Sequence, residues 1–204
     1  MRIKLIIIIP LFILSLGPGA LAQDRHFEII PFAGFRAGGT FTDTVEEETL
    51  VVDESAVYGF SIDVDYDATG QLHLLWSHQE SEFNTPIATV SHFDLDIDYF
   101  HFGGSYSWAK DEKFKPYVAV SIGATHLQPN ESGYSDAWRF SMGLGLGLKY
   151  FITPHIGLLL EGRGFGTFMG GSGAIFCGDG GCQIAIHQEL FTQFEGRTGI
   201  VFRF

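Results

Sequence analysis

WRFSMGLGLGLKYF (138–151) alternates without a break. In an extended chain Trp138, Phe140, Met142, Leu144, Leu146, Leu148 and Tyr150 share one face, and Arg139, Ser141, three glycines and Lys149 share the other. A helix would scatter the leucines around its axis, so a period of two predicts a strand. The glycines fall in strand register and do not form a phosphate-cradling loop. Gly143, Gly145 and Gly147 instead remove side chains from the polar face. Either a large neighbour such as Phe165 fills the space they leave, or a small cavity lies there.

Similar segments lie on both sides of this one. They are HFEIIPFAGFRAGG (26–39), AVYGFSIDVDYD (56–67), QLHLLWSHQ (71–79), HFDLDIDYFHFGGSYSW (92–108), YVAVSIGATHL (117–127), IGLLLEGRGFGTFM (156–169) and a closing run from about Leu190 to Phe204. With 138–151 they make eight. In 92–108, Phe93, Leu95, Ile97 and Tyr99 oppose Asp94, Asp96 and Asp98, after which Phe100 and Phe102 take the apolar positions. A bulge near Tyr99–Phe100 is the expected device for resetting that phase. The connections alternate in length: short at DATG, AKDEKFKP and ITPH, long at about 40–55, 80–91, 128–136 and 170–188.

Composition agrees with an all-β chain, with 26 Gly and 20 Phe in 204 residues. Arg2 and Lys4 precede the apolar run LIIIIPLFILSL, and Ala20 and Ala22 set an A-x-A site before Gln23, the pattern of a secretory signal peptide. The expected organisation is a signal peptide over 1–22 and one β-barrel domain over 23–204. A net charge of −12, more acidic still once Arg2 and Lys4 are removed, argues against nucleic acid as a partner.

A sheet in water turns its apolar face inward, whereas a membrane barrel turns it toward lipid. Alternation alone fits both. Secretion, strands of 10 to 14 residues and the short-turn, long-loop rhythm favour the barrel. Charges of both signs on the polar face add less: Arg36, Asp63, Asp94, Asp96, Arg139, Lys149, Glu161, Arg163, Glu195 and Arg197. The fold class expected is an antiparallel up-and-down transmembrane β-barrel of eight strands. At that size side chains just fill the interior.

The signal peptide, the eight segments and the closing GIVFRF, with Ile200, Phe202 and the terminal Phe204 at alternate positions, resemble small bacterial outer-membrane β-barrels of the OmpA, OmpX and OmpW type. The resemblance covers the whole mature chain, mostly as architecture. It implies the outer membrane of a Gram-negative bacterium, periplasmic termini and outward-facing long loops. It also implies that Ile200, Phe202 and Phe204 form a signal for the barrel-assembly machinery. Outer-membrane lipid and lipopolysaccharide are the implied surroundings, with the protein a monomer. The roles implied are structural or surface-interactive, or passage of small apolar molecules as in the OmpW type. A lipid-modifying enzyme on the same fold and a secreted lipocalin-like carrier are the alternatives.

Little in the chain announces chemistry, and no catalytic residue, cofactor or metal is expected. Cys177 and Cys182, in FCGDGGC, suit one local disulfide in an oxidising envelope. His26, His73, His78, His92, His101, His126, His155 and His187 form no HExxH and read as scattered polar residues. A lumen charge network is expected from Arg36, Asp94, Asp96, Arg139, Glu161, Arg163, Glu195 and Arg197, because an unpaired carboxylate there would be costly.

Overall fold

The computed structural model describes residues 26–42, 49–51, 53–83, 93–109, 113–129, 135–170, 173–178, 181–186 and 190–204. The expected signal peptide lies outside them, as does the centre of the acidic stretch at 43–48. In chain order the strands are β1 (Phe27–Gly38), β2 (Thr40–Thr42), β3 (Thr49–Val51), β4 (Ser55–Asp65), β5 (Gly70–Phe83), β6 (Phe93–Ser107), β7 (Phe114–Pro129), β8 (Ala137–Phe151), β9 (Ile156–Phe168), β10 (Gly173–Gly178), β11 (Gly181–Ile186) and β12 (Leu190–Arg203). Eight of them close into an antiparallel barrel in the order β1-β12-β9-β8-β7-β6-β5-β4. The pairs β2–β3 and β10–β11 are separate hairpins inserted between barrel strands.

Closure removes the free edges that an open sheet would leave. β1 meets β12 from Glu28↔Arg203 to Gly38↔Gln193. Even the terminal residue is paired, since the Phe204 N–H donates to the Phe27 carbonyl at 2.9 Å and the Phe27 N–H returns the bond at 3.3 Å. The turns at 66–69 and 152–155 lie at this end of the barrel, where the Ser107 N–H donates to the Thr69 carbonyl and the Arg203 N–H to the His155 carbonyl. In one, the Asp67 carboxylate accepts the Thr69 and Gly70 N–H groups at 2.7 Å each. These bonds and that from the Thr69 hydroxyl hold its carboxyl below the ordinary value. The turn is thus fixed by side chain to backbone hydrogen bonds.

The wall is inverted relative to a soluble sheet. Leu146 and Leu160 are 65% and 64% exposed on the outside, while Glu161, Arg163, Glu195 and Arg197 are buried inside. This sidedness belongs to a barrel solvated by lipid.

β6 departs from the expectation. It pairs with β5 from Gly70↔Tyr106 to Phe83↔Phe93, and with β7 from Leu95↔Pro129 to Ser107↔Tyr117, with no residue skipped. There is no bulge at Tyr99–Phe100. The phase set by the outward Phe100 and Phe102 runs straight through, so Leu95, Ile97 and Tyr99 point inward at 0% exposure. Asp94, Asp96 and Asp98 therefore lie on the outer face. The physical reason is a change of solvent along the strand. Facing outward means lipid at Phe100 and water at Asp96, so the polarity of the wall flips while its geometry does not.

Candidate functional site

Three ionic layers and an apolar cap fill the lumen. In the layer nearest the termini, Lys149 Nζ donates to Glu28 Oε2 at 2.6 Å, Asp63 Oδ2 at 2.7 Å and Gln71 Oε1 at 2.8 Å. Arg203 grips Glu28 Oε1 through Nε at 2.9 Å and Nη2 at 2.8 Å, and its guanidinium lies 3.5 Å from the Phe151 ring centre. The middle layer centres on Glu161, which accepts Arg163 Nε at 2.5 Å, Arg197 Nη2 at 2.9 Å and the Tyr117 hydroxyl. In the third, Glu195 Oε2 accepts Arg36 Nη2 at 2.7 Å, Arg36 Nε at 3.0 Å and the Ser77 hydroxyl at 3.0 Å. Arg36 also lies 4.6 Å from the Tyr99 ring centre. Removing such ions from water is expensive unless each finds partners of this kind.

Above these layers Leu95, Ile97, Leu127, Met169 and Phe191 form one buried cluster with Tyr99 and Phe165, whose rings stack at 4.1 Å. The glycine strand leaves no gap. A Cβ at Gly147 would enter the Tyr117 ring, one at Gly145 would stand 2.8 Å from Glu161 Oε1, and one at Gly143 would stand 2.6 Å from Ser121 Oγ. The glycines make room for the lumen's larger side chains. A cavity of about 10 Å³, the size of one water, borders Asp63, His73 and Glu161.

Five of the expected charges thus meet in the lumen: Arg36, Glu161, Arg163, Glu195 and Arg197. Asp94 and Asp96 do not, because β6 turns them outward. Arg139 stands at the loop end of the lumen face, half-buried, and donates to the Trp138 carbonyl at 3.1 Å. Glu28, the anchor of the first layer, was not among the expected members. Its signal was parity, since it shares a face of β1 with Arg36.

The outer wall carries a second constellation. Cross-strand register sets Tyr58, His78, Asp98, His126 and Trp138 directly opposite one another across β4 to β8. Asp98 Oδ1 accepts Trp76 Nε1–H at 3.1 Å and bonds His78 Nδ1 at 2.9 Å, while Oδ2 stands 3.8 Å from His126 Nδ1. His126 Nε2 bonds Asp136 at 2.9 Å, and its ring stacks on Trp138 at 4.4 Å. On the loop side the next row is polar, Glu80, Asp96 and Gln128. On the other side it is Phe60, Trp76, Phe100, Ala124 and Phe140. The His–Asp–His row therefore marks the boundary of the apolar band, where Trp and Tyr gather in membrane barrels.

In β10–β11 the backbone register sets Cys177 opposite Cys182. Ile200, Phe202 and Phe204 face outward, with Phe204 against Phe27 at 6.2 Å between ring centres. Among the described residues, no group of three or more His, Cys, Asp or Glu is arranged to hold a metal ion.

No family model matches the chain, and no curated protein matches it in sequence. Among solved structures, Neisserial surface protein A (NspA) is 12% identical with a TM-score of 0.58, over 89% of this chain and 100% of that one. The outer membrane protein OprG from Pseudomonas aeruginosa is 12% identical with a TM-score of 0.55, over 88% and 95%. The outer membrane protein AlkL, solved in DMPC lipid bilayers, is 15% identical with a TM-score of 0.53, over 89% and 90%. At such identities the likeness is one of fold, and in fold this chain is an eight-stranded β-barrel of the outer-membrane type.

Proposed function

We propose that this chain is a closed, non-catalytic barrel of the Gram-negative outer membrane, monomeric, with periplasmic termini, whose role is structural and surface-interactive. The observation that carries this reading is the filled lumen. Axial passage of small apolar molecules, the other role expected from the resemblance, would have to cross three ionic layers and an apolar cap. What remains available for contact is the outside: the apolar band for lipid and the acidic loop end for lipopolysaccharide and its counter-ions.

Planar lipid bilayers test this directly. Purified, refolded barrel is expected to give no stable conductance steps, and large steady currents would overturn the closed-lumen reading. A lipid A profile altered by overexpression would overturn the non-catalytic part. The outward Ile200, Phe202 and Phe204 support an assembly role. Deleting Phe204 should lower outer-membrane insertion in cells while leaving refolding in detergent nearly unchanged. The opposed Cys177 and Cys182 support a hairpin disulfide, which alkylation with and without reductant checks by mass.

A further inference from the structure

A groove of about 680 Å³ runs along the outer wall, lined by Phe60, Ile62, Leu74, Trp76, Phe100 and Ile122 among others. Its loop-side end meets the His–Asp–His row, because Trp76 is both a groove wall and a donor to Asp98. A groove of this kind in the apolar band takes a hydrocarbon chain, and the row above it meets whatever that chain carries. Carboxylates gather there, and His78 Nε2 stands 3.8 Å from Glu80 Oε1. Asp98 stands in the row, Asp96 and Glu80 sit one step toward the loops, and Asp136 is bonded to His126. Among the described residues no lysine or arginine lies on this outer face of β4 to β7. At the ends of the row, Tyr58 packs on His78 and Trp138 stacks on His126, framing the carboxylates with aromatic rings.

We propose that this groove and row form a binding site for a lipid whose headgroup carries a primary ammonium. The acyl chain lies along Phe60, Leu74, Trp76 and Phe100. The ammonium donates to Asp98, Asp96 and Glu80, and the imidazoles of His78 and His126 lie beside the headgroup's phosphoryl oxygens. A quaternary headgroup has the charge without the N–H donors, and a glycerol headgroup has neither. The inference rests on the membrane reading above and adds a headgroup preference to it.

The test is native mass spectrometry of the full barrel released from mixed micelles holding equal POPE, POPC and POPG. POPE adducts are expected to dominate. In Asp98→Asn that preference should fall about tenfold, the scale of one charge-assisted hydrogen bond. Asp67→Asn, which removes the same charge from a turn at the opposite end, should retain it. Heat-modifiable gel migration checks that each variant is folded. Equal retention of the three lipids, parity of POPE with POPC, a preference for POPG, or an unchanged preference in Asp98→Asn would each overturn the proposal. Failure to retain any lipid, with the barrel soluble without detergent, would remove the membrane reading itself.

Discussion

Glu161 and Asp98 are both carboxylates flanked by two cationic or ionisable nitrogen groups, and the barrel uses them in opposite ways. Glu161 is sealed in the lumen between Arg163 and Arg197, and both guanidinium groups are buried with it. Asp98 lies on the outer wall between His78 and His126, with side chains 14–15% exposed. The first has partners that hold their charge at any ordinary pH, in a space that water barely enters. The second has imidazole partners, at a surface where lipid headgroups and water arrive. The inner carboxylate ties lumen strands together, and the outer one stands at the boundary between the apolar band and the polar loop end. Substitutions in the two places should accordingly separate stability from binding.

The largest loss of stability is expected in the lumen. Glu161→Ala would leave Arg163 and Arg197 buried without their shared carboxylate, and breaking a buried pair this way costs about 3–5 kcal/mol. Urea unfolding in detergent micelles measures it. A loss below about 1 kcal/mol, the ceiling for exposed pairs, would put the two carboxylates in the same class and dissolve the contrast.

The apolar cap should come next. Ile97→Ala removes a fully buried side chain from the cluster with Leu95 and Tyr99, at a cost of about 2–4 kcal/mol by the same unfolding measurement. It should still give no conductance, because the ionic layers below remain across the axis. Stable current steps in this variant would mean that the cap, and not the charges, closes the lumen. Gly147→Ala tests the fit of the glycine strand, since its Cβ would fall within the Tyr117 ring. Overpacking of this kind costs about 1–3 kcal/mol, and a neutral result would show that Tyr117 has room to swing away.

These sites differ in how far the sequence exposed them. β8 and β12 were readable throughout because they meet lipid on one side and the filled lumen on the other, so period two and residue type agree along their length. β6 crosses from lipid to water at Asp98–Phe100. There the rule that apolar residues face outward changes sign, and a strand read by that rule alone acquires a bulge it does not have. The same inversion moved Asp94 and Asp96 from the lumen to the outer wall. Arg36, Glu161, Arg163, Glu195 and Arg197 were legible from parity on strands with clear phase. Glu28 has the same parity but sits among Phe27, Ile29 and Ile30, where one charge in an apolar run draws little notice. The outer row was invisible for another reason. His78, Asp98 and His126 lie on three strands, and only the register across two hairpins brings them together.

The smallest stability effect is expected in that row, and its smallness is what gives the comparison its edge. Asp98→Asn keeps the shape of the side chain and its capacity to accept from Trp76 Nε1, and removes only the charge. His78 and His126 then lose a partner, but both lie on the outer wall at 14–15% exposure, where water and headgroups reach them. Surface carboxylate–imidazole contacts belong with surface pairs at about 0–1 kcal/mol, so the urea midpoint should move far less than in Glu161→Ala. A loss as large as that of Glu161→Ala would make Asp98 part of the scaffold, and any change in lipid preference would then be a by-product of damage. An unmoved midpoint with an altered lipid preference is the outcome that separates the two carboxylates, because a purely structural group cannot lose recognition while the barrel keeps its stability.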